Sequence, residues 1–223
     1  MSGQTAPEVA KLIYGGINVP ILSAIPIAAR RILDVGCGDG SLGVAIKGRQ
    51  PAEVIGLTYS EGEAERATGR LDRVLVGDLN SFDPTGLGTF DCVVCSHVLE
   101  HLYWPDNFLA CARTLFAPGG RLVVALPNVL AWRQRLTFML GRFRYADGGL
   151  MDRTHFRFFD RQSSEALVAQ AGYRVVSSTA DGVFPLARFL PWIGRYLSRS
   201  AVVVAPGLFA WQFVIVAEPV SPS

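Results

Sequence analysis

The chain has 223 residues, half of them hydrophobic and 18% charged, which excludes a disordered protein and predicts one folded domain with a sizeable core. Its formal net charge of +2 argues against a general nucleic-acid binder, which would carry a larger basic excess. The positive charge is nearly all arginine, because Lys11 and Lys47 are the only lysines. Arginine side chains suit carboxylate and phosphate partners.

The sequence predicts a cytoplasmic protein. No secretory signal is visible at its start, and we interpret its four cysteines as reduced, buried small side chains. The apolar run 201–217 is short for a membrane-spanning helix, and Pro206 and Gln212 interrupt it. Cys92 and Cys95 lie three apart in a predicted strand, so they face opposite sides and cannot easily share a zinc ion.

The chain divides into three predicted regions. Residues 1–29 form an N-terminal helical segment, broken into short pieces by Pro20 and Pro26. Residues 30–217 form the main domain, and residues 218–223 form a loose tail.

The strongest feature is the turn after the first predicted strand. Residues 32–35 form a short apolar run that ends in three glycines at alternate positions, Gly36, Gly38 and Gly40, and a helix begins at Ser41. Glycine permits positive φ and lets a ligand approach the backbone closely. The start of a helix offers unpaired N–H groups to an anion. The arrangement therefore predicts a ligand-binding turn.

This segment, Leu-Asp-Val-Gly-Cys-Gly-Asp-Gly, resembles motif I of the class I S-adenosylmethionine-dependent methyltransferases. The resemblance implies S-adenosylmethionine as cofactor and S-adenosylhomocysteine as product. The cofactor-binding residues that it implies at this turn are Asp34, Gly36, Cys37, Gly38 and Gly40. Residues 38–43 also match the G-x-G-x-x-G pattern of dinucleotide-binding folds, so an NAD-dependent oxidoreductase is an alternative.

The second predicted strand, residues 53–58, lacks the acidic residue that usually closes it to hold a ribose diol. Thr58 occupies that position. The stretch 56–63 is similar to the corresponding segment of cyclopropane-synthase-like methyltransferases, which implies that Glu63 reaches the ribose from the next helix. We place Thr58 and Tyr59 among the cofactor contacts as well.

The third predicted strand, residues 74–79, ends in Asp78 and Leu79. The family resemblance implies that the Asp78 carboxylate accepts a hydrogen bond from the adenine amino group. It also implies that Leu79 offers a backbone N–H to the ring.

The fourth predicted strand, residues 90–97, is almost continuously apolar, as a central parallel strand should be. Ser96 and His97 lie at its carboxyl end, where open α/β sheets bind ligands, and we include Ser96 in the cofactor site. The stretch from His97 to Leu102 resembles a segment found after this strand in the family. His97 and His101 are spaced to share a metal ion, but no third ligand is evident and we predict none. The Pro-Gly-Gly turn at 118–120 is also common in class I methyltransferases.

Residues 129–161 are rich in arginine and aromatic residues, and we interpret them as an acceptor-side insert. Residues 140–145 and 150–159 resemble a subgroup associated with bacterial polysaccharide and glycoconjugate genes. We hypothesise that His155 acts with His97 as general base, and that Arg153 and Arg157 hold an anionic group of the acceptor. Alternatively, Asp152, Arg153 and His155 simply tie a helix start to the sheet.

The last part of the chain predicts a helix over 163–171, capped by Ser163 or Ser164, and strands over 173–179 and 208–217. Between these strands lies an apolar insert, residues 182–206. Its stretch 183–199 could cover the ligand edge of the sheet or contact a membrane surface.

Together these features predict an α/β fold, a doubly wound Rossmann-like sheet of seven strands with helices on both faces. The resemblance implies the order 3-2-1-4-5-7-6 with the last strand antiparallel. The predicted function is methyl transfer to a small-molecule or glycoconjugate acceptor, as O-methylation of a sugar hydroxyl. The alternatives are the NAD-dependent oxidoreductase and a non-catalytic relative that only binds the cofactor. The oligomeric state is left open.

Overall fold

Seven strands form one mixed sheet in the computed structural model, which describes residues 16–185, 187 and 192–220. The strands are β1 (Arg31–Val35), β2 (Glu53–Thr58), β3 (Arg73–Val76), β4 (Phe90–Ser96), β5 (Phe116–Pro127), β6 (Tyr173–Gly182) and β7 (Ala210–Pro219). Their order is β3-β2-β1-β4-β5-β7-β6, and β7 is antiparallel to both of its neighbours. The predicted fold class and strand order are confirmed.

Helices cover both faces of this sheet. In the described part of the chain they are α1 (Val19–Ala24), α2 (Ser41–Arg49), α3 (Glu61–Ala67), α4 (Pro105–Ala112), α5 (Trp132–Met139), α6 (Arg161–Gln170), α7 (Gly194–Val204) and α8 (Pro206–Phe209). Of the predicted segment 1–29, the described part begins at residue 16 and contains α1. Among the described residues, no helix combines the length and apolar character needed to cross a bilayer.

The core consists of two apolar clusters, one on each face of the sheet. Cys92 belongs to one cluster and Cys95 to the other, so the two thiols point to opposite faces as predicted. Burial raises the pKa of both thiols. The prediction that every cysteine is buried is wrong for Cys111, which is exposed on α4 because Phe108 and Leu109 supply that helix's buried face.

Helix α6 begins two residues earlier than the sequence predicts. Its N-cap is Asp160 rather than Ser163 or Ser164. The Asp160 carboxylate accepts a hydrogen bond from the Ser163 N–H at 2.8 Å, and the Asp160 N–H donates to the Ser163 hydroxyl at 2.9 Å. This reciprocal capping box satisfies two backbone donors at once, which a lone serine cap would not.

The parallel strands β1, β2, β3, β4 and β5 present their carboxyl ends at one edge of the sheet, which is where the ligands of open α/β folds bind. Asn128 follows β5 at this edge and is fully buried. Its side-chain amide donates hydrogen bonds to the carbonyls of Gly207 and Ala210. The segment after β5 is thereby tied to the start of β7 beside the ligand edge.

Candidate active site

The glycine turn after β1 is a tight loop that is hydrogen-bonded to β2. The N–H groups of Gly36 and Cys37 both donate to the Leu57 carbonyl, at 2.7 and 3.1 Å. Gly36 has φ +68°, and a side chain there would overlap Val98 in the loop after β4. Gly38 has φ +54°, and a Cβ atom there would meet nothing within 4 Å. The turn therefore packs on one side and faces open space at Gly38, as a ligand cradle requires.

Asp34 lies beside this turn in the last part of β1. It is only 2% exposed, and its Oδ2 atom has no hydrogen-bond partner among the described residues. Burial raises the pKa of this carboxyl from 3.8 to about 7. An orphaned carboxylate oxygen at a ligand edge fits a cationic donor such as the ammonium group of S-adenosylmethionine.

Asp39 lies just before the N-cap of helix α2, Gly40, at the helix end where a dinucleotide fold would place a pyrophosphate. Its carboxylate accepts the Ser41 N–H at 3.0 Å, and Arg70 donates to it at 2.8 Å. The hydrogen bonds from Ser41 and Arg70 lower the pKa of Asp39 to about 2, so the group is ionised. A negative charge already bound at the helix start disfavours a phosphate ligand there, which argues against NAD.

The end of β2 carries a coupled pair of side chains. The Thr58 hydroxyl is buried, donates to Glu63 Oε2 at 2.6 Å, and accepts the Ser60 N–H at 3.2 Å. Glu63 lies in the first turn of α3 and is half-buried. Thr58 therefore orients the Glu63 carboxylate, while its own donor is already in use. This arrangement supports the prediction that Glu63, and not Thr58, holds the ribose diol.

Replacing Glu63 with alanine is expected to weaken cofactor binding by roughly 1.5–3 kcal/mol, because a hydrogen bond to a charged group is lost. Thr58→Val removes the orienting hydroxyl but keeps the shape of the side chain, and it should weaken binding less. Isothermal titration calorimetry with S-adenosylhomocysteine measures both. A larger loss for Thr58→Val would show that the threonine hydroxyl itself binds the ribose.

The remaining predicted cofactor residues are spread along the same edge. Asp78 is exposed, and its Oδ1 accepts hydrogen bonds from both the backbone and side-chain N–H groups of Asn80. Leu79 is buried in the core, and Tyr59 is 80% exposed. The Cys37 side chain packs in the apolar cluster on the α2 face, with the pKa of its thiol raised to about 12, chiefly by burial. Their contacts to a cofactor stay predictions.

His97 is held by protein groups on both ring nitrogens. Its Nδ1 lies 3.2 Å from Glu100 Oε1, and its Nε2 lies 2.9 Å from Gln212 Oε1. Gln212 donates its own amide N–H to Asp181 at 3.0 Å, so its oxygen faces His97 and accepts from Nε2. His97 is also the single non-glycine residue with positive φ, +56°, among the described residues. This geometry suits a positioning role better than proton removal from an acceptor.

Sequence reasoning missed Asn18 and Gln212 as parts of this site. Their side-chain amides bond reciprocally at 2.9 and 3.2 Å, and Asn18 also donates to the Ser96 hydroxyl at 3.3 Å. Gln212 is fully buried, and it interrupts an otherwise apolar run of the sequence. A lone glutamine in such a run was the available signal, because a buried amide must find partners.

The segment after β5 comes close to the turn that follows β4, because the N–H groups of Phe156 and Arg157 donate to the Glu100 carbonyl. His155 is 4% exposed, and its ring meets that of His101 edge-on at 4.7 Å. Burial is the main cause that lowers the pKa of His155, which favours the neutral form of its ring. Glu100, from the turn after β4, offers a carboxylate oxygen within 4.8 Å of both rings.

The two predicted acceptor-binding arginines have different surroundings. Arg157 donates to the Tyr103 carbonyl through two nitrogens, at 2.8 and 3.3 Å, and lies over the ring of Trp104. Arg153 pairs with Asp147 at 2.9 Å at the surface, with both side chains mostly exposed. Arg157 therefore fastens the loop after β4 to the insert, and Arg153 is the more accessible of the two.

The sheet order, the glycine turn open at Gly38 and the orphaned Asp34 carboxylate together define a class I S-adenosylmethionine-dependent methyltransferase fold whose residues fit that cofactor. A methyltransferase-domain family model matches residues 17–178. The chain therefore belongs to the methyltransferase-domain family. The predicted enzyme class and cofactor are confirmed at the level of this family.

Individual proteins that are similar to this chain are also methyltransferases by name. Over 162 residues the chain is 32% identical to the malonyl-[acyl-carrier protein] O-methyltransferase of Geobacter sulfurreducens, covering 70% of this chain and 60% of that protein. It is 38% identical over 117 residues to the ubiquinone biosynthesis O-methyltransferase of Dechloromonas aromatica, covering 47% of each. The crystal structure of a SAM dependent methyltransferase from Archaeoglobus fulgidus superposes with a TM-score of 0.64 at 18% identity, covering 96% of this chain and 94% of that one. The chain spans about half the length of the curated relatives that it matches.

Proposed function

We propose that this protein transfers a methyl group from S-adenosylmethionine to a hydroxyl group of a small-molecule or glycoconjugate acceptor. The observation that carries the proposal is the orphaned, buried Asp34 carboxylate beside the open glycine turn. When bound, S-adenosylmethionine supplies a methyl group on a sulfonium centre, an excellent leaving group. The chain's own residues bind the cofactor through Asp34, the turn at Gly38 and the Glu63 carboxylate, and they hold the acceptor in line.

The acceptor side is formed by the insert after β5. Phe143 lies 5.4 Å from Phe138, 5.6 Å from Tyr145 and 6.4 Å from Phe158, and Phe158 lies 6.4 Å from His155. Phe143 and Tyr145 are more than half exposed. Such a wall suits a ring, since both sugars and phenols present a flat apolar face. The O-methyltransferase names of the relatives support an oxygen atom as the methyl acceptor.

Two measurements test the function. Calorimetry should show binding of S-adenosylmethionine and S-adenosylhomocysteine but not of NAD. Methyl-labelled S-adenosylmethionine should then transfer label to one member of an acceptor panel of nucleotide-linked sugars, lipid-linked saccharides and phenols, with the methylated atom located by mass spectrometry. Cofactor binding without transfer to any acceptor would favour the non-catalytic alternative, and tight NAD binding would favour an oxidoreductase.

We also propose peripheral membrane contact through the apolar insert. Residues 186 and 188–191 of the predicted stretch 183–199 lie outside the described residues. Beside them, Trp192 is 91% exposed, and Val203 and Val204 on α7 are at least 80% exposed. Exposed apolar side chains of this kind enter the headgroup region of a bilayer.

The protein is therefore expected to sediment with phosphatidylglycerol vesicles, and the double substitution Val203→Ser, Val204→Ser should reduce the bound fraction several-fold. Cofactor affinity should not change. Equal sedimentation of the wild type and the variant would contradict this surface.

A further inference from the structure

Three side chains from two distant segments converge beside Phe158, in the aromatic cluster of the insert after β5. Glu100 and His101 lie in the short turn Leu99–His101 after β4, and His155 lies in the insert after β5. One potential ligand atom from each lies within 4.8 Å of the others. The convergence is fixed by the backbone, because the N–H groups of Phe156 and Arg157 both donate to the Glu100 carbonyl, at 2.9 and 3.1 Å.

Only one of the two carboxylate oxygens of Glu100 has a hydrogen-bonding partner among the described residues. The residue is fully buried, and its Oε1 faces His97 Nδ1. Its Oε2 has no hydrogen-bond partner among the described residues. A buried carboxylate oxygen without a donor is costly, and a bound cation would satisfy it.

Both histidines are oriented as metal ligands usually are. His101 Nδ1 lies 3.1 Å from the Thr154 carbonyl, and His155 Nδ1 lies 3.3 Å from the Leu150 carbonyl. The Thr154 hydroxyl also lies 3.0 Å from His101 Nδ1 and donates its proton to Asp152 at 2.6 Å. A neutral ring that donates its Nδ1–H to a carbonyl carries its lone pair on Nε2, which is the usual outer-shell arrangement around a metal-bound histidine.

We propose that Glu100, His101 and His155 bind a divalent transition-metal cation, with zinc the best match. Two imidazoles and one carboxylate are a known ligand set for catalytic zinc, and they suit magnesium or calcium poorly. Ligand atoms about 2.1 Å from zinc are about 3.4 Å apart in a tetrahedron, so a small inward movement of these side chains closes the site. The sequence predicted no metal because His155, far along the chain, could not be seen as the third ligand.

Three protein ligands leave one coordination position open, and its role rests on the proposed function. The cation would hold the acceptor hydroxyl oxygen and favour loss of its proton to water. An oxygen lone pair then forms the bond to the methyl carbon, while the carbon–sulfur bond breaks and its electron pair stays on sulfur. In this scheme His155 is a ligand rather than the general base.

The test uses the full chain, stripped of metal with EDTA and titrated with cobalt(II) and then zinc(II), without cofactor or acceptor. We expect one equivalent of cobalt to bind with visible d–d absorption, and zinc to displace it. His101→Ala and His155→Ala should each weaken binding at least about 100-fold, because removing even an outer-shell partner costs 10–100-fold. Zinc should also raise the melting temperature of the wild type, reversibly with EDTA.

Matched controls separate this site from adventitious binding. Asp147→Asn removes an exposed carboxylate outside the cluster and should keep one-to-one binding with unchanged affinity. His97→Asn removes the third histidine of the chain, but it also removes the contact to Glu100 Oε1. It should therefore keep one-to-one stoichiometry and weaken binding less than either cluster-histidine variant. The proposal is overturned if the wild type shows neither saturable cobalt binding nor a zinc-dependent melting shift, or if binding survives in both cluster-histidine variants. Such a failure leaves the methyl-transfer proposal intact, because cofactor binding is measured separately.

Discussion

Replacement of Gly38 by valine is expected to abolish S-adenosylmethionine binding, lowering affinity at least about 100-fold, or about 2.7 kcal/mol. Gly38 combines φ +54° with open space where its Cβ would project. A β-branched side chain would occupy the space left for the ligand, and it would also strain the backbone. Calorimetry with S-adenosylhomocysteine measures the loss.

A matched control separates a specific loss of cofactor binding from a general loss of folding stability. Gly119 also has positive φ, +78°, and a Cβ atom added there would meet nothing within 4 Å. It lies at the amino end of β5, at the sheet edge opposite the site. Gly119→Val should therefore cost similar folding stability, measured by urea denaturation, while cofactor affinity is unchanged. Unchanged affinity in Gly38→Val would remove the central assignment of the site.

Asp34 is expected to give both folding and cofactor binding a pH dependence that Asp34→Asn lacks. Its pKa is raised to about 7 by burial, so across pH 4–7 the folded, cofactor-free protein keeps a proton that the unfolded chain has lost. The free energy of unfolding should therefore fall as pH rises through this range, by a few kcal/mol in total, and should level off above about pH 7. Urea denaturation at several pH values measures the slope.

Cofactor binding should show the opposite trend, because an ammonium group favours the ionised carboxylate. Affinity should increase from pH 6 to pH 8 in the wild type, and Asp34→Asn should bind more weakly at pH 8, by about 10–100-fold. Subtracting the variant's pH profile from that of the wild type cancels ionisation of the ligand itself. Identical pH profiles in the two proteins would mean that Asp34 does not face the bound ligand.

The glycine turn of the candidate cofactor site could be predicted from sequence because its signals are contiguous. A tight turn from strand to helix requires glycines at fixed positions, so Gly36, Gly38 and Gly40 mark it directly. The β4 strand was equally clear, since both of its faces are buried and almost every position is apolar. The cap of α6 was placed wrongly because aspartate and serine are both good N-caps, and only the formed capping box distinguishes them.

The sequence by itself thus determined the fold class, the glycine turn after β1 and the family, because each depends on the order of neighbouring residues. The tertiary structure decided which distant side chains meet. Thr58 supports Glu63, Gln212 faces His97, and His155 joins Glu100 and His101. The last two contacts depend on how β7 and the insert after β5 lie against the end of β4. No spacing along the chain encodes that placement, since it results from packing of the whole sheet.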